Sequence, residues 1–194
     1  MRVFTQVRLT TPRLVLRPLH KSDAPDLFAL RSDPKVMRYW SNSPWTSIDK
    51  AYELIARDEE AMATGQYIHL GLERKNDEQL IGTCTLFKLS EQCRRAEIGY
   101  GLASSAWRQG YMHEALVALL NYGFAELGLN RVEADIDPDN VASARSLLRL
   151  DFKKEGHLRE RWIVDEQVSD SDLYGLLFSE WHTDSDGTTD QLHS

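Results

Sequence analysis

Residues 96–127, AEIGYGLASSAWRQGYMHEALVALLNYGFAEL, restrict the possible folds of this chain more than any other stretch. Ile98-Gly99-Tyr100-Gly101-Leu102 is a short apolar segment that ends in a small, flexible turn, Ala103-Ser104-Ser105-Ala106. A loop with one glycine follows, Trp107-Arg108-Gln109-Gly110-Tyr111-Met112. Leu116, Leu119, Leu120, Phe124 and Leu127 then recur at the three- and four-residue steps of one helical face, and Gly128 stands where a C-cap glycine belongs. The spacing predicts a strand, a loop and a helix in direct succession.

A loop of that kind delivers several backbone N–H groups to one point. The first turn of a helix leaves its amides unpaired, and the helix dipole adds partial positive charge, so the combination receives phosphate. Gly110 lets a pyrophosphate approach the backbone closely. A nucleoside-triphosphate loop needs Lys-Ser/Thr after its last glycine, where Tyr111-Met112 stand instead. GxGxxG, the dinucleotide signature, is absent, although Gly99 and Gly101 imitate part of it. Two readings remain at this level: an anion site of another kind, and an ordinary strand-to-helix connection.

The 194 residues suit one domain with a substantial core, expected over residues 1–181, followed by a polar, loosely held tail over 182–194. No apolar run approaches the roughly 20 residues that cross a bilayer. MRVFTQVRLT lacks the apolar stretch of a signal peptide, so a cytoplasmic protein without a membrane partner is expected. The net charge of −7 argues against a general nucleic-acid binder. It suits a cationic substrate, and it equally suits plain solubility. Cys84 and Cys93 have no metal-ligand spacing, and reduced thiols are expected, with a single disulfide as the alternative. The six histidines form no ligand cluster, so no metal is expected, and no Gly-x-Ser-x-Gly elbow supports a hydrolase.

Along the chain, Leu9–Leu19 alternates as a strand with Arg13 and Arg17 on one face. Ser22 or Asp23 caps a helix that carries Leu27, Phe28 and Leu30 and stops before Asp33-Pro34. Tyr39, Trp40 and Trp45 in the loop 36–45 either line an acceptor pocket or cover the core. A helix over Ile48–Met62 turns Tyr52, Ile55 and Met62 inward and leaves Asp58-Glu59-Glu60 solvated. Strands over Tyr67–Leu72, Leu80–Leu89, from Ala96, and over Arg131–Ile136 make the second to fifth. A helix over Ala142–Leu150 and late strands over Phe152–Leu158 and Leu173–Phe178 complete the series, with Arg161–Ser171 as a loop. The order predicts an α/β fold, a mixed sheet with helices on both faces.

Trp107, Gly110, Tyr111, Met112, Glu114 and Ala115 resemble the acetyl-CoA-binding motif of the GNAT (Gcn5-related) N-acetyltransferases, above all its RimJ/RimL-like branch. In the general pattern Gln/Arg-x-x-Gly-x-Gly/Ala, Gly110 fills the central glycine, while Trp107 and Met112 replace the outer positions. The opening TPRLVLRPLHKSDAPDLFALRSDPKVMRYW carries the resemblance further, so that it covers about Thr10 to Trp181. It implies a mostly antiparallel sheet whose fourth and fifth strands splay apart around the pantetheine arm. Acetyl-CoA is then the co-substrate. The backbone of Tyr100, Gly101 and Leu102 would bind pantetheine, and Trp107, Arg108, Gln109, Gly110, Tyr111 and Met112 would hold the pyrophosphate. Gly99 and Gly101 permit a bulge or a close ligand approach in that strand.

Acetyl transfer to an amine needs a base, stabilisation of the thioester oxygen, and a group to meet the leaving thiolate. Period two puts Glu97, Gly99 and Gly101 on one face, where a carboxylate would be flanked by little bulk. The resemblance makes Glu97 the candidate base. The competing reading is a surface glutamate paired with Arg94 or Arg95. Asn140 and Ser143 have the spacing of a helix cap and its first turn. In the family the matching asparagine contacts pantetheine. The tyrosine that many members use as acid falls on Leu147 here, and Ser143 matches the serine proposed for that job in the RimJ/RimL branch. Asp151 replaces the usual glycine before Phe152, and Trp162 stands where some RimL-type enzymes carry a glutamate.

The expected activity is N-acetyl transfer to a primary amine, either a protein N-terminus or a small molecule, by direct transfer in a ternary complex of a monomer or homodimer. A non-catalytic acyl-CoA-binding sensor or regulatory module is the alternative. It would keep the Gly110 loop and need neither Glu97 nor Ser143.

Overall fold

A computed structural model describes residues 2–181, so the expected tail at 182–194 lies outside the described residues. Eight strands form one sheet: β1 (Leu9–Thr10), β2 (Leu14–Arg17), β3 (Ile68–Arg74), β4 (Gln79–Ser90), β5 (Arg95–Leu102), β6 (Arg131–Ile136), β7 (Lys153–Val164) and β8 (Gln167–Leu177). Their order across the sheet is β1-β2-β3-β4-β5-β6-β8-β7. Five α-helices accompany them: α1 (Ala24–Ser32), α2 (Pro34–Met37), α3 (Asp49–Ala63), α4 (Tyr111–Ala125) and α5 (Val141–Leu148).

Strand alternation divides the side chains between two layers. Leu70, Leu72, Cys84, Leu86 and Ile98 pack with Leu116, Leu119 and Leu120 of α4. Each of those three leucines is fully buried, which stabilises the fold by about 1.5–3 kcal/mol apiece. On the opposite face α1 and α3 pack Leu27, Leu30, Ala51, Leu54 and Ile55 over Leu19 and Leu80. Cross-strand partners share a face, so His69, Thr85 and Gly99 form one row on the α1/α3 side, and Phe87 and Glu97 belong to the next.

All neighbouring strands pair antiparallel except β5 and β6, which run parallel. That ladder has three rungs, Arg95–Arg131, Ala96–Val132 and Glu97–Glu133. From Ile98 onward the two strands part, which leaves the β6-facing edge of β5 without a strand partner. These are the strands counted fourth and fifth in the sequence; the count shifts because the expected first strand is two.

Five local expectations need correction. Leu9–Leu19 breaks at Thr11-Pro12-Arg13, where the Thr11 amide donates to the Leu14 carbonyl (3.0 Å) and its hydroxyl accepts from the Leu14 amide (2.9 Å). Arg13 therefore sits in a turn and shares no strand face with Arg17. Arg17 is buried and donates to Asp23 (2.7 and 2.9 Å) and Glu73 (2.6 Å). In α3, Asp58 lies on the same stripe as Leu54, Ile55, Ala61 and Met62; it is 3 % exposed, whereas Tyr52 is 45 % exposed. The register break between β4 and β5 lies between Phe87 and Ser90, not at Gly99 or Gly101. The helix at α4 ends at Ala125, and Gly128 takes a left-handed conformation (φ +67°) in the connection that follows. Finally, β7 and β8 continue through the expected loop 161–171 to a two-residue turn at Asp165-Glu166.

Candidate active site

The loop between β5 and α4 has its shape set by side chains that draw its carbonyls aside. The Trp107 indole donates to the Leu102 carbonyl (2.8 Å), and the Gln109 side-chain Nε2 donates to the Ser105 carbonyl (3.0 Å). Arg13 Nη1 donates to the Gln109 carbonyl (2.8 Å). Trp107 and Gln109 thus spend their side chains within the loop, and what they present outward is backbone. Arg108 (φ +61°) and Gly110 (φ +79°) are both left-handed. Gly110 is the N-cap of α4 and supplies no capping side chain. The first intrahelical bond runs from the Glu114 amide to the Gly110 carbonyl (3.1 Å), so the amides of Tyr111, Met112 and His113 precede it. An uncapped helix N-terminus is a receptor for anions.

The parting of β5 from β6 lies beside this loop. Tyr100 projects to the α4/α5 side, and its phenol hydrogen-bonds the Ser143 hydroxyl at 2.8 Å. Ser143 is buried in the first turn of α5, where its amide donates to the Asn140 side chain (3.1 Å). Asn140 is therefore a helix cap in this structure. Burial pushes the Tyr100 phenol up to about 12, against the opposing effect of the Ser143 hydrogen bond. An ordinary thiol titrates near about 8.5, so such a phenol keeps its proton beside a thiolate and acts as a hydrogen-bond donor. The pairing of Tyr100 with Ser143 is not legible in the sequence, where 43 residues separate them.

On the other face stands Glu97, with its side chain 14 % exposed and ion-paired to Lys88 at 2.9 Å; Lys88 itself is 54 % exposed. The partner is neither Arg94 nor Arg95. Arg95 binds Glu133, which Arg131 also binds at 2.7 Å. Across the split, Asp135 continues the Glu133 face of β6 and accepts bonds from Ser171 and the Trp162 indole. Gly101 lies directly under Trp40: a Cβ there would stand 2.8 Å from the indole, which is why the position takes glycine. The Arg31 guanidinium stacks on Trp40 at 3.7 Å and faces Trp45 at 5.9 Å. Burial pushes Arg31 down to about 10, and the nearby Asp58 charge opposes that shift. Trp40 thus lies between Arg31 and Gly101 of β5, and Trp45 packs with the α1/α3 core. His69 also faces this side, but it is held by Asp58 (2.7 Å) beneath the surface.

Among the described residues, no group of three or more His, Cys, Asp or Glu is placed to hold a metal ion. Cys84 is buried and Cys93 exposed, and both are free thiols. Among the described residues, no helix is long and apolar enough to cross a membrane.

Residues 13–153 match the model of the GNAT acetyltransferase domain. The chain belongs to the GNAT acetyltransferases. It is 35 % identical to an uncharacterised N-acetyltransferase, p20, of Bacillus licheniformis, over 89 % of this chain and 97 % of that one. It is 27 % identical to the Escherichia coli ribosomal protein uS5-alanine N-acetyltransferase, over 91 % and 93 %. Among solved structures, Mycobacterium smegmatis RimJ in complex with CoA-disulfide superposes with a TM-score of 0.84 at 22 % identity, over 93 % of this chain and 91 % of that one, a likeness of fold.

Proposed function

We propose that this GNAT protein is a RimJ/RimL-like, acetyl-CoA-dependent N-acetyltransferase, acting as one domain over residues 1–181 in the cytoplasm. The observation that carries the reading is the opening of β5 from β6 after Glu97, directly beside the uncapped start of α4. Acetyl-CoA enters this cleft with its pyrophosphate on the amides of Arg108 to Met112. Its pantetheine arm extends along the free β5 edge at Tyr100, Gly101 and Leu102, with Asn140 across the gap. The loop amides and helix dipole neutralise the phosphate charge.

The acceptor is a primary amine, either a protein N-terminus or a small molecule, and it approaches over Glu97 and Trp40. Glu97 removes the proton from the incoming ammonium, directly or through one water. The amine nitrogen attacks the thioester carbon, the tetrahedral intermediate collapses with cleavage of the C–S bond, and the second nitrogen proton passes to the departing thiolate, giving the amide and the free CoA thiol. Ser143, polarised by Tyr100, donates a hydrogen bond to the departing sulfur. No covalent enzyme intermediate and no metal is required.

Glu97→Gln tests the assignment. Its expected effect is a fall in kcat of about 100-fold or more with the acetyl-CoA Kd unchanged, the signature of a lost general base. The acceptors to assay are peptides with free N-termini and polyamines. Unchanged turnover in Glu97→Gln would remove Glu97 from the base role.

A further inference from the structure

Arg13 lies 96 residues from Gln109 in sequence, yet its guanidinium is built into the α4 loop. Nη1 takes the Gln109 carbonyl (2.8 Å), and Nε donates to Glu114 (2.6 Å). The guanidinium stands 4.5 Å from the centre of the Tyr111 ring. Nη2 would lie 3.3 Å from a Cβ at Gly110. Glu114, in the first turn of α4, also accepts from the Arg13 amide (2.8 Å) and the Thr11 hydroxyl (2.5 Å). Burial disfavours its ionised form, but these bonds outweigh burial and hold its carboxyl below the usual carboxylate range.

We propose that Arg13 and Glu114 are positioning residues that lock the Trp107–Met112 loop into its anion-receiving shape before the cofactor arrives. The proposal rests on the reading of that loop as the acetyl-CoA pyrophosphate site. Three physical points lead to it. A loop that binds phosphate through amides must turn its carbonyls away. Trp107 and Gln109 do this for Leu102 and Ser105 from within the loop, while the Gln109 carbonyl depends on Arg13 alone among the described side chains. Secondly, the loop holds two left-handed residues, Arg108 and Gly110, on either side of Gln109, and the non-glycine one, Arg108, persists in that conformation only where the surroundings fix it. Thirdly, an arginine at the positive end of a helix is unfavourable by itself. Glu114 on the first turn offsets that charge and, with two bonds to the Thr11–Arg13 turn, sets the orientation of the fork. A loop already in its bound shape does not lose affinity to the fraction of time spent in other shapes.

The clamp would act on cofactor affinity and leave the reacting atoms untouched, so its signature is a KM and Kd effect at nearly constant kcat. Arg13→Ala is expected to raise the acetyl-CoA Kd about 10- to 100-fold, the effect of losing charge-assisted hydrogen bonds, with kcat at saturation within about threefold. Arg13→Lys keeps the charge without the planar fork and is expected to restore only part of the affinity. Arg13→Ala/Glu114→Ala should bind no worse than the weaker single variant, because the two side chains act as one unit. Amide hydrogen exchange is the second readout: residues 107–112 should exchange faster in Arg13→Ala, while β3 and β4 keep their protection. Thr11→Val, which removes one bond to Glu114 and keeps both charges, serves if Arg13→Ala fails to fold, and a few-fold rise in Kd is expected.

Wild-type Kd and loop exchange in Arg13→Ala, or in Thr11→Val should that variant be needed, would overturn the proposal. A loss of protection spread evenly over the sheet would also overturn it, since that marks a purely structural tie. A wild-type chain that binds no acetyl-CoA would instead defeat the cofactor reading. The exchange experiment would then still report whether Arg13 orders the loop.

Discussion

On the proposed cofactor side, the Trp107–Met112 loop is braced by the Trp107, Gln109 and Arg13 side chains and anchored by Glu114. On the proposed acceptor side, the exposed tip 41–44 meets the rest of the described chain by one side-chain hydrogen bond, Ser43 to Asp165 (2.5 Å) at the end of the β7–β8 hairpin. Its base is better held: Trp40 lies between Arg31 and Gly101, the Trp45 amide donates to the Arg31 carbonyl (2.9 Å), and Ser104 donates to Asp33 (2.8 Å). The contrast has a physical meaning. A fixed ligand such as a pyrophosphate rewards a fixed receptor, because ordering costs are met during folding. A proposed acceptor wall held chiefly at its base, with one exposed bond at its tip, can change that tip without disturbing the loop before α4.

The largest effect that would break the comparison belongs to Gly110. In Gly110→Glu a side chain must adopt φ +79°, crowd Arg13 and bring a carboxylate to the anion site. The acetyl-CoA Kd should rise at least about 100-fold. Calorimetry checks this, and wild-type affinity in the variant would mean that the loop does not seat the pyrophosphate. A middling effect is expected at the sulfur. Tyr100→Phe and Ser143→Ala should each lower kcat about 10- to 100-fold without weakening cofactor binding, as for a lost donor to a developing anion. The phenol also predicts a pH effect. Its value of about 12 lies above the ordinary value of about 10, so its contribution to stability is full below pH ~10 and is lost as pH rises through 12. Tyr100→Phe should therefore flatten part of the alkaline unfolding curve. The smallest effect belongs to Ser43→Ala, which should alter acceptor KM less than about fivefold and leave acetyl-CoA KM unchanged, because the bond is exposed. A larger change in acetyl-CoA KM would show that the two sides are coupled.

The strand–loop–helix frame of the proposed cofactor side was largely legible in the sequence for the same reason that it is well braced. One glycine in a strand–loop–helix setting, followed by a helical apolar stripe, leaves few structures open, and the β5–α4 loop and the α4 face agree with that pattern. The clamp was not legible, because Thr11 and Arg13 look like the start of a strand and nothing in their spacing points about a hundred residues ahead. The β7–β8 hairpin failed for a different reason. Its two-residue turn places Asp165 (φ +47°) and Glu166 (φ +66°) in a conformation that Asn-Gly or Asp-Gly would signal, and almost every residue of β7 is exposed, so no buried alternation marks it as a strand. Asp58 was misread from its acidic neighbours. The three- and four-residue steps from Leu54 and Ile55 put it on the buried stripe, where Tyr67 and His69 satisfy it. Period two puts Glu97 and Gly99 on one face of β5, as the register shows, but the Lys88 partner of Glu97 comes from β4, where the register break between Phe87 and Ser90 is not legible in the chain.

The most direct test of the central claim, that the braced loop receives a pyrophosphate, is a pair of calorimetric titrations of the wild-type chain, one with acetyl-CoA and one with S-acetyl-pantetheine. The second ligand keeps the thioester and the pantetheine arm and lacks the pyrophosphate. The account predicts binding of acetyl-CoA at about micromolar Kd, within the ordinary range for enzyme substrates, and at least about 100-fold weaker binding of the truncated ligand. Equal affinity for the two would contradict it.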